Sequence, residues 1–404
     1  MVVERSEYLD FLRRWKDRKV IKVVSGVRRC GKSTLFDLFR AELLKSGVAE
    51  KQMISVNFEE LDFEELTDYH RLYDFIKERL LPDRMNYIFL DEIQHCENFE
   101  KVVDSLFIKE NCDVYITGSN AYFLSGELAT LLSGRYVELN MLPLSFKEFS
   151  NGIEERHGDL TDRQKFNLYL EFGAFPYLLN FEQLGRDAKE YLRSLYHTVI
   201  LKDVVQRLKV SDVTTLENIS KYLFHNIGNR TSPTKIANTL KSAGKGTDQK
   251  TVDKYLDGLT DALLFYRATR YNLKGKQFLT TQNKYYAVDM GFRNILTRGK
   301  ENDEGHILEN IVFLELKRRG FDVYIGEVDE MEVDFVAISD GKPIYYQVAA
   351  STLDPATLSR ELAPLRKIND NYPKYLLTLD DVFSDADYNG VIKKNAIDWL
   401  LETN

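Results

Sequence analysis

"VVSGVRRCGKSTLF", Val23–Phe36, joins an apolar, β-rich run to a glycine-framed loop and the start of a helix. Its central residues, Gly26-Val27-Arg28-Arg29-Cys30-Gly31-Lys32-Ser33, satisfy G-x-x-x-x-G-K-[ST] at every fixed position, after a strand and before a helix. Glycines in such a loop let backbone N–H groups curl around a phosphate, and the helix that follows turns its positive end toward it. The stretch therefore predicts a site for a nucleoside triphosphate, ATP, with Gly26 to Thr34 wrapping the phosphates. Lys32 is assigned to the β- and γ-phosphates and the Ser33 hydroxyl to Mg2+.

Outward from this loop, short apolar runs alternate with helical segments up to about residue 145. "VIKVVSG" (20–26), "MISVNF" (53–58), "NYIFLDE" (86–92) and "DVYITGS" (113–119) read as strands, each ending in a small or polar residue. The alternation predicts an α/β fold with a parallel sheet, whose ligands gather at the carboxyl ends of the strands. In "YIFLDEIQ" the buried run Tyr87–Leu90 delivers Asp91 to the metal side of the pocket. Glu92 follows, placed to orient or deprotonate an attacking water. Two adjacent carboxylates favour hydrolysis over binding alone.

At ~150 residues per domain, 404 residues predict two or three domains. A net charge of −8 argues against a nucleic-acid coat over the whole chain but leaves room for a basic face on one domain. No run approaches the ~20 apolar residues of a membrane span, and "MVVERSEYLDFLRRWKDRK" is too charged for a signal peptide. Cys30, Cys96 and Cys112 lack metal-ligand spacing, and the expected setting is the reducing cytoplasm. The expected boundaries are 1–145 for the core, 146–211 for a helical lid or linker, 212–295 for a middle domain and 303–404 for the last.

"GVRRCGKST", "FLDEIQ", "VYITGSNA", "LSGRYVEL" and "LPLSFKEF" together resemble the AAA+ superfamily, in particular prokaryotic ATPases with an AAA-type core and a C-terminal domain of unknown function. The resemblance implies that Ser119 and Asn120 are the polar strand end that senses γ-phosphate or the attacking water. Arg135 in "SGRY" is then either an arginine that reaches a γ-phosphate, in cis or from a neighbour, or a strand-edge ion pair. Arg28 and Arg29 are similarly open between phosphate and solvent. Cys30 is either a redox-sensitive thiol or simply a small residue.

"TSPTKIANTLKSAGKGTDQKTVDKYLDGLTDALLFYRATRYN" (231–272) has the grammar of a winged helix-turn-helix: a capped helix with proline in its first turn, a polar turn, a second amphipathic helix and strands for a wing. If it reads double-stranded DNA, Gln249, Lys250 and Lys254 enter the major groove. Lys241, Lys245, Arg267, Arg270, Lys274 and Lys276 then meet phosphates. Docking of a protein partner is the other reading.

The C-terminal "EGHILENIVFLELKRRG", "EVDFVAI" and "IYYQVAA" resemble the PD-(D/E)XK nuclease fold, with Glu309 as the helix acid and Asp334 as the strand acid. The (E/D)-x-K triplet falls on Gln347-Val348-Ala349, which has lost one carboxylate and the lysine. Lys342 and Arg360 are the cations nearby in sequence. A catalytically silent domain is expected, kept for binding. The whole chain thus reads as an ATPase (ATP and water to ADP and phosphate) coupled to a winged-helix and a degenerate nuclease-like module. An ATP-licensed Mg2+-dependent DNA nuclease and a slow nucleotide switch or scaffold are the alternatives. An oligomer stays open and no membrane is involved.

Overall fold

Ile21–Ser25 (β1) is buried at every residue, which suits a central strand covered by helices on both faces. A computed structural model describes residues 3–119, 132, 134–275, 277–297 and 303–402. The chain divides into two compact units, residues Met1–Pro143 with Asp261–Leu263, and residues Leu144–Thr260 with Leu264–Asn404.

In the first unit α1 (Ser6–Trp15) precedes β1 and α2 (Lys32–Lys45) follows it; β2 (Met53–Asn57), α3 (Tyr69–Arg79), β3 (Asn86–Asp91), α4 (Phe99–Ile108), β4 (Cys112–Gly118) and β5 (Tyr136–Asn140) complete the order. The sheet runs β2-β3-β4-β1-β5 and is parallel throughout. Residues of β3 and β4 are also buried without exception. Val23, Val56, Ile88, Leu90, Val103 and Ile116 belong to one core. Parallel pairing brings the carboxyl ends of β1, β3 and β4 to one edge, where Ser25, Asp91 and Gly118 end their strands.

The second unit begins with α5 (Phe146–His157), α6 (Asp162–Phe172) and α7 (Arg186–Thr198), the last running into a π-helical stretch over Val199–Gln206. Next come α8 (Val213–His225), α9 (Pro233–Ser242) and α10 (Gln249–Asp261), then β6 (Phe265–Asn272), β7 (Gln277–Ala287) and α11 (Met290–Thr297). α9 starts as the sequence indicates, with Ser232 capping the Lys235 N–H and Pro233 in the first turn. α12 (Glu304–Arg318), β8 (Asp322–Val328), β9 (Met331–Ser339), β10 (Lys342–Ala349), α13 (Pro355–Arg366), β11 (Lys374–Thr378), β12 (Val391–Asn395) and α14 (Ala396–Leu401) follow.

These strands form one mixed sheet, β12-β11-β10-β9-β8-β6-β7. The β6–β7 hairpin, expected as a wing, also continues the C-terminal sheet through parallel pairing of Arg270–Asn272 with Ile325–Glu327. Of its cations Arg270 is drawn inward, while Arg267 and Lys274 stay exposed. Arg270 is buried and bonds Glu327, Arg267 bonds Asp257 at 2.6 Å, and Lys274 meets Asp329 at 2.5 Å. The expectation that Arg270 meets DNA phosphate does not hold, because its guanidinium already neutralises a neighbouring-strand carboxylate. Lys276 lies outside the described residues.

Candidate nucleotide site

The loop that leaves β1 is built by local chemistry. Gly31 has φ +107°, a left-handed conformation that glycine adopts without strain, and it caps α2 so that Lys32 begins the helix. At Gly26 a side chain would overlap the Met141 carbonyl and come within 2.8 Å of Cys30 Sγ. From outside the loop Arg5 is buried and donates to the carbonyls of Cys30 (3.2 Å), Leu142 (2.9 Å) and Pro143 (3.3 Å). One guanidinium thereby ties the loop to the chain that follows β5. No sequence pattern singled out Arg5; a charged residue at the edge of an amphipathic helix gives no sign that it turns inward.

The Lys32 ammonium is buried, donates to the Gly26 carbonyl at 2.9 Å and lies 3.1 Å from Glu92 Oε1. Glu92, just after β3, has φ +52°, uncommon for a residue with a side chain. Its N–H donates to Thr117 Oγ1 at 2.8 Å, and the Thr117 hydroxyl donates to Asp91 Oδ1. Burial alone would push the Glu92 carboxyl up, yet the charge of Lys32 and a hydrogen bond from Gln94 hold it at about 2. Burial raises Asp91, partly offset by hydrogen bonds from Ser33 and Thr117. Gln94 and Thr117, unassigned from sequence, thus complete the cluster.

The donors fit a magnesium nucleotide. Both partners of Lys32 are ones that a phosphate oxygen can replace. Asp91 and Ser33 supply two adjacent oxygens, and Mg2+ ordinarily takes one or two protein oxygens with phosphates and water. Among the described residues no three His, Cys, Asp or Glu side chains are grouped to hold a metal unaided.

The other predicted residues fall as follows. Val27 is buried, Arg29 is exposed with φ +68°, and Ser33 and Thr34 are exposed at the start of α2. Arg28 is buried and bonds Glu59. Cys30 is fully buried and burial pushes its thiol up, so the redox-sensitive thiolate is not favoured there. Ser119 is buried beside Gln94, while Asn120 lies outside the described residues. The Arg135 carbonyl accepts from the Ile21 N–H at 2.8 Å, at the amino end of β1. At ~3.3 Å per residue that is about 13 Å from where the loop leaves Ser25. The Arg135 guanidinium bonds Asp104 and lies over the Phe107 ring, 5.6 Å from its centre.

In the second unit Glu309 is buried on α12 and accepts from Lys284 (2.8 Å) and Tyr286 (2.5 Å) on β7; His306 Nδ1 lies 3.3 Å from its other oxygen. Lys284 also meets Glu332 at 2.6 Å. Burial, then the charge of Glu309, raises Asp334 well above the usual carboxylate range, although Val348 N–H donates to it at 2.8 Å. Gln347 donates to Glu361 at 2.9 Å. Arg360 is exposed beside Glu361, and Lys342 is exposed at the start of β10. The cation among these acids is Lys284, which the spacing of the triplet could not reveal because it comes from a strand earlier in the chain.

The first unit has the fold and the loop of a P-loop ATPase of the AAA type. Residues 18–150 match the AAA domain family, and residues 163–303 match a domain of unknown function, DUF8612. A Walker-type ATPase of Pyrococcus abyssi shares the fold, with a TM-score of 0.50 and 16% identity over 73% of this chain and 96% of that one. An uncharacterized protein of Haemophilus influenzae is 38% identical over 99% of both chains. An uncharacterized protein of Methanocaldococcus jannaschii is 30% identical over 80% of this chain and 73% of its own. The chain belongs to one family with these two proteins.

Proposed function

We propose that this protein binds ATP with Mg2+ and hydrolyses it, and that its second unit reads the nucleotide state to engage double-stranded DNA. The observation that carries the reading is the convergence of Lys32, Asp91 and Glu92 at the carboxyl ends of β1 and β3. Backbone N–H groups from Gly26 to Thr34 cradle the phosphates and Lys32 neutralises them. Ser33 and Asp91 would hold Mg2+, which when bound stabilises charge on the phosphate oxygens. As the phosphates draw Lys32 to themselves, Glu92 loses its strongest counter-charge and becomes the more basic group. It then takes a proton from the attacking water. Asn120 is assigned to γ-phosphate sensing. Arg135, a strand's length from its own loop, would reach a γ-phosphate only in a neighbouring subunit of an oligomer. Three buried free cysteines fit the cytoplasm.

α8, α9, α10 and the β6–β7 hairpin support the winged-helix reading, and Gln249, Lys250 and Lys254 at the start of α10 are exposed. The nuclease-like reading of the C-terminal part is that of a silent relative. Lys284 already neutralises Glu309 and Glu332, where an active site would set a cation.

Steady-state ATP turnover of wild type and Glu92→Gln, with and without double-stranded DNA at two salt concentrations, tests the reading. The expected result is turnover that requires Glu92 and a DNA stimulation that fades with salt. Turnover indifferent to DNA would replace DNA with a protein partner, and absence of turnover would sink the ATPase itself.

A further inference from the structure

Gln94 stands beside both groups that flank the reacting centre. Its Nε2 donates to Glu92 Oε2 at 2.5 Å and to Ser119 Oγ at 3.3 Å. These contacts fix the orientation of the amide, since turning the oxygen toward Glu92 would set two acceptors against each other. Gln94 Oε1 is fully buried, with no hydrogen-bond partner among the described residues. Such an acceptor costs about 1–3 kcal/mol, and a native chain that keeps one calls for a reason, such as a role in catalysis. The left-handed backbone of Glu92 adds a second sign of function, since strain of this kind collects at active sites. It leaves one carboxylate oxygen facing Lys32 and the other facing Gln94.

Resting on the ATPase reading, we propose that Gln94 positions the attacking water: its N–H holds Glu92 Oε2 while its Oε1 and the freed Glu92 Oε1 accept the two hydrogens of that water. Lys32 faces Glu92 Oε1. Once phosphate takes Lys32, that oxygen is released but the carboxylate stays anchored through Oε2. Two acceptors on two hydrogens turn the lone pairs of the water toward the γ-phosphorus. One proton passes to Glu92 as the new P–O bond forms. The bond from the γ-phosphorus to the bridging oxygen breaks, its electron pair leaves with ADP, and the proton returns to the phosphate or to solvent. Gln94 ends the cycle unchanged.

Methionine has nearly the shape of glutamine but lacks both polar atoms, so Gln94→Met isolates the hydrogen bonds. In the full-length protein kcat should fall on the order of 10²-fold, with KM and the affinity for a non-hydrolysable ATP analogue nearly unchanged. Affinity for ADP with aluminium fluoride, which mimics the transferring phosphoryl group, should fall in parallel. Because both residues act on one water, Glu92→Gln with Gln94→Met should be no slower than Glu92→Gln alone. A Gln94→Met protein that turns over at the wild-type rate, or that loses ATP-analogue affinity as steeply as kcat, overturns the assignment while leaving the ATPase reading intact. A wild-type protein without turnover removes both.

Discussion

Lys32 holds two partners, the Gly26 carbonyl and the Glu92 carboxylate, and a phosphate oxygen can replace either. Removing it takes away the charge that attracts the triphosphate. Truncating one side of a buried charge pair costs about 2–5 kcal/mol. Lys32→Ala is therefore expected to weaken ATP binding at least ~10²-fold while the far-ultraviolet circular dichroism stays that of the wild type; equilibrium titration with a fluorescent ATP analogue checks this. Lys284 makes a contrasting case, because its ammonium sits among carboxylates in the second unit and serves the fold. Lys284→Ala leaves Glu309 buried without its cation, and loss of one member of such a pair costs about 3–5 kcal/mol. Urea denaturation should show that loss, with ATP turnover per folded molecule preserved. The two lysines also differ in legibility. Lys32 is fixed by glycines one and six residues before it, whereas Lys284 meets Glu309 and Glu332 only through a sheet that spacing along the chain does not encode.

Between β1 and α2 the loop has no room for a side chain at Gly26, which makes its geometry a property of several elements. At Gly26 a methyl group would run into the Met141 carbonyl just after β5, so Gly26→Ala must push the loop off that strand. Arg5 reinforces the same junction from α1. Arg5→Ala is expected to lower nucleotide affinity about 10-fold without touching a phosphate, since it removes three charge-assisted bonds that set the loop. Isothermal titration of the variant tests this, and unchanged affinity would show that the loop holds its shape alone. Strands β1, β3 and β4 were legible because burial on both faces demands continuous apolar runs. β12 was not, because "VIKKN" carries two lysines; Lys393 is nonetheless buried, its ammonium 2.8 Å from Asp380. The β6–β7 hairpin is legible as a pair of strands, but its union with β8 depends on a chain segment about fifty residues on, and no local pattern announces it.

Across the whole chain, buried ionisable groups pull stability in opposite directions as pH changes. Burial raises the Glu309 carboxyl, but Lys284 and the hydrogen-bond donors around it bring it to about 2. Its contribution is present above the unfolded value near 4.5 and is lost as pH falls through that range. Asp289 does the reverse. Burial pushes it up to about 7 in spite of hydrogen bonds from the N–H groups of Ala174 (2.6 Å), Gly291 (2.9 Å) and Phe292 (3.4 Å). The same carboxylate dictates the glycine that ends α6: Gly173, with φ +77°, lies where any side chain would overlap Asp289. The folded chain keeps the Asp289 proton up to about pH 7, while the unfolded chain releases it near 4. Between those values the folded state binds more protons, so this group's contribution falls as pH rises, by on the order of a few kcal/mol. Asp289→Asn cannot ionise, but its amide would face the Ala174 N–H, donor against donor. That variant should be less stable at pH 5, yet its urea midpoint should decline less than the wild type's between pH 5 and pH 8. Parallel decline in both proteins would mean that Asp289 keeps its charge when buried, and that its three N–H donors outweigh desolvation.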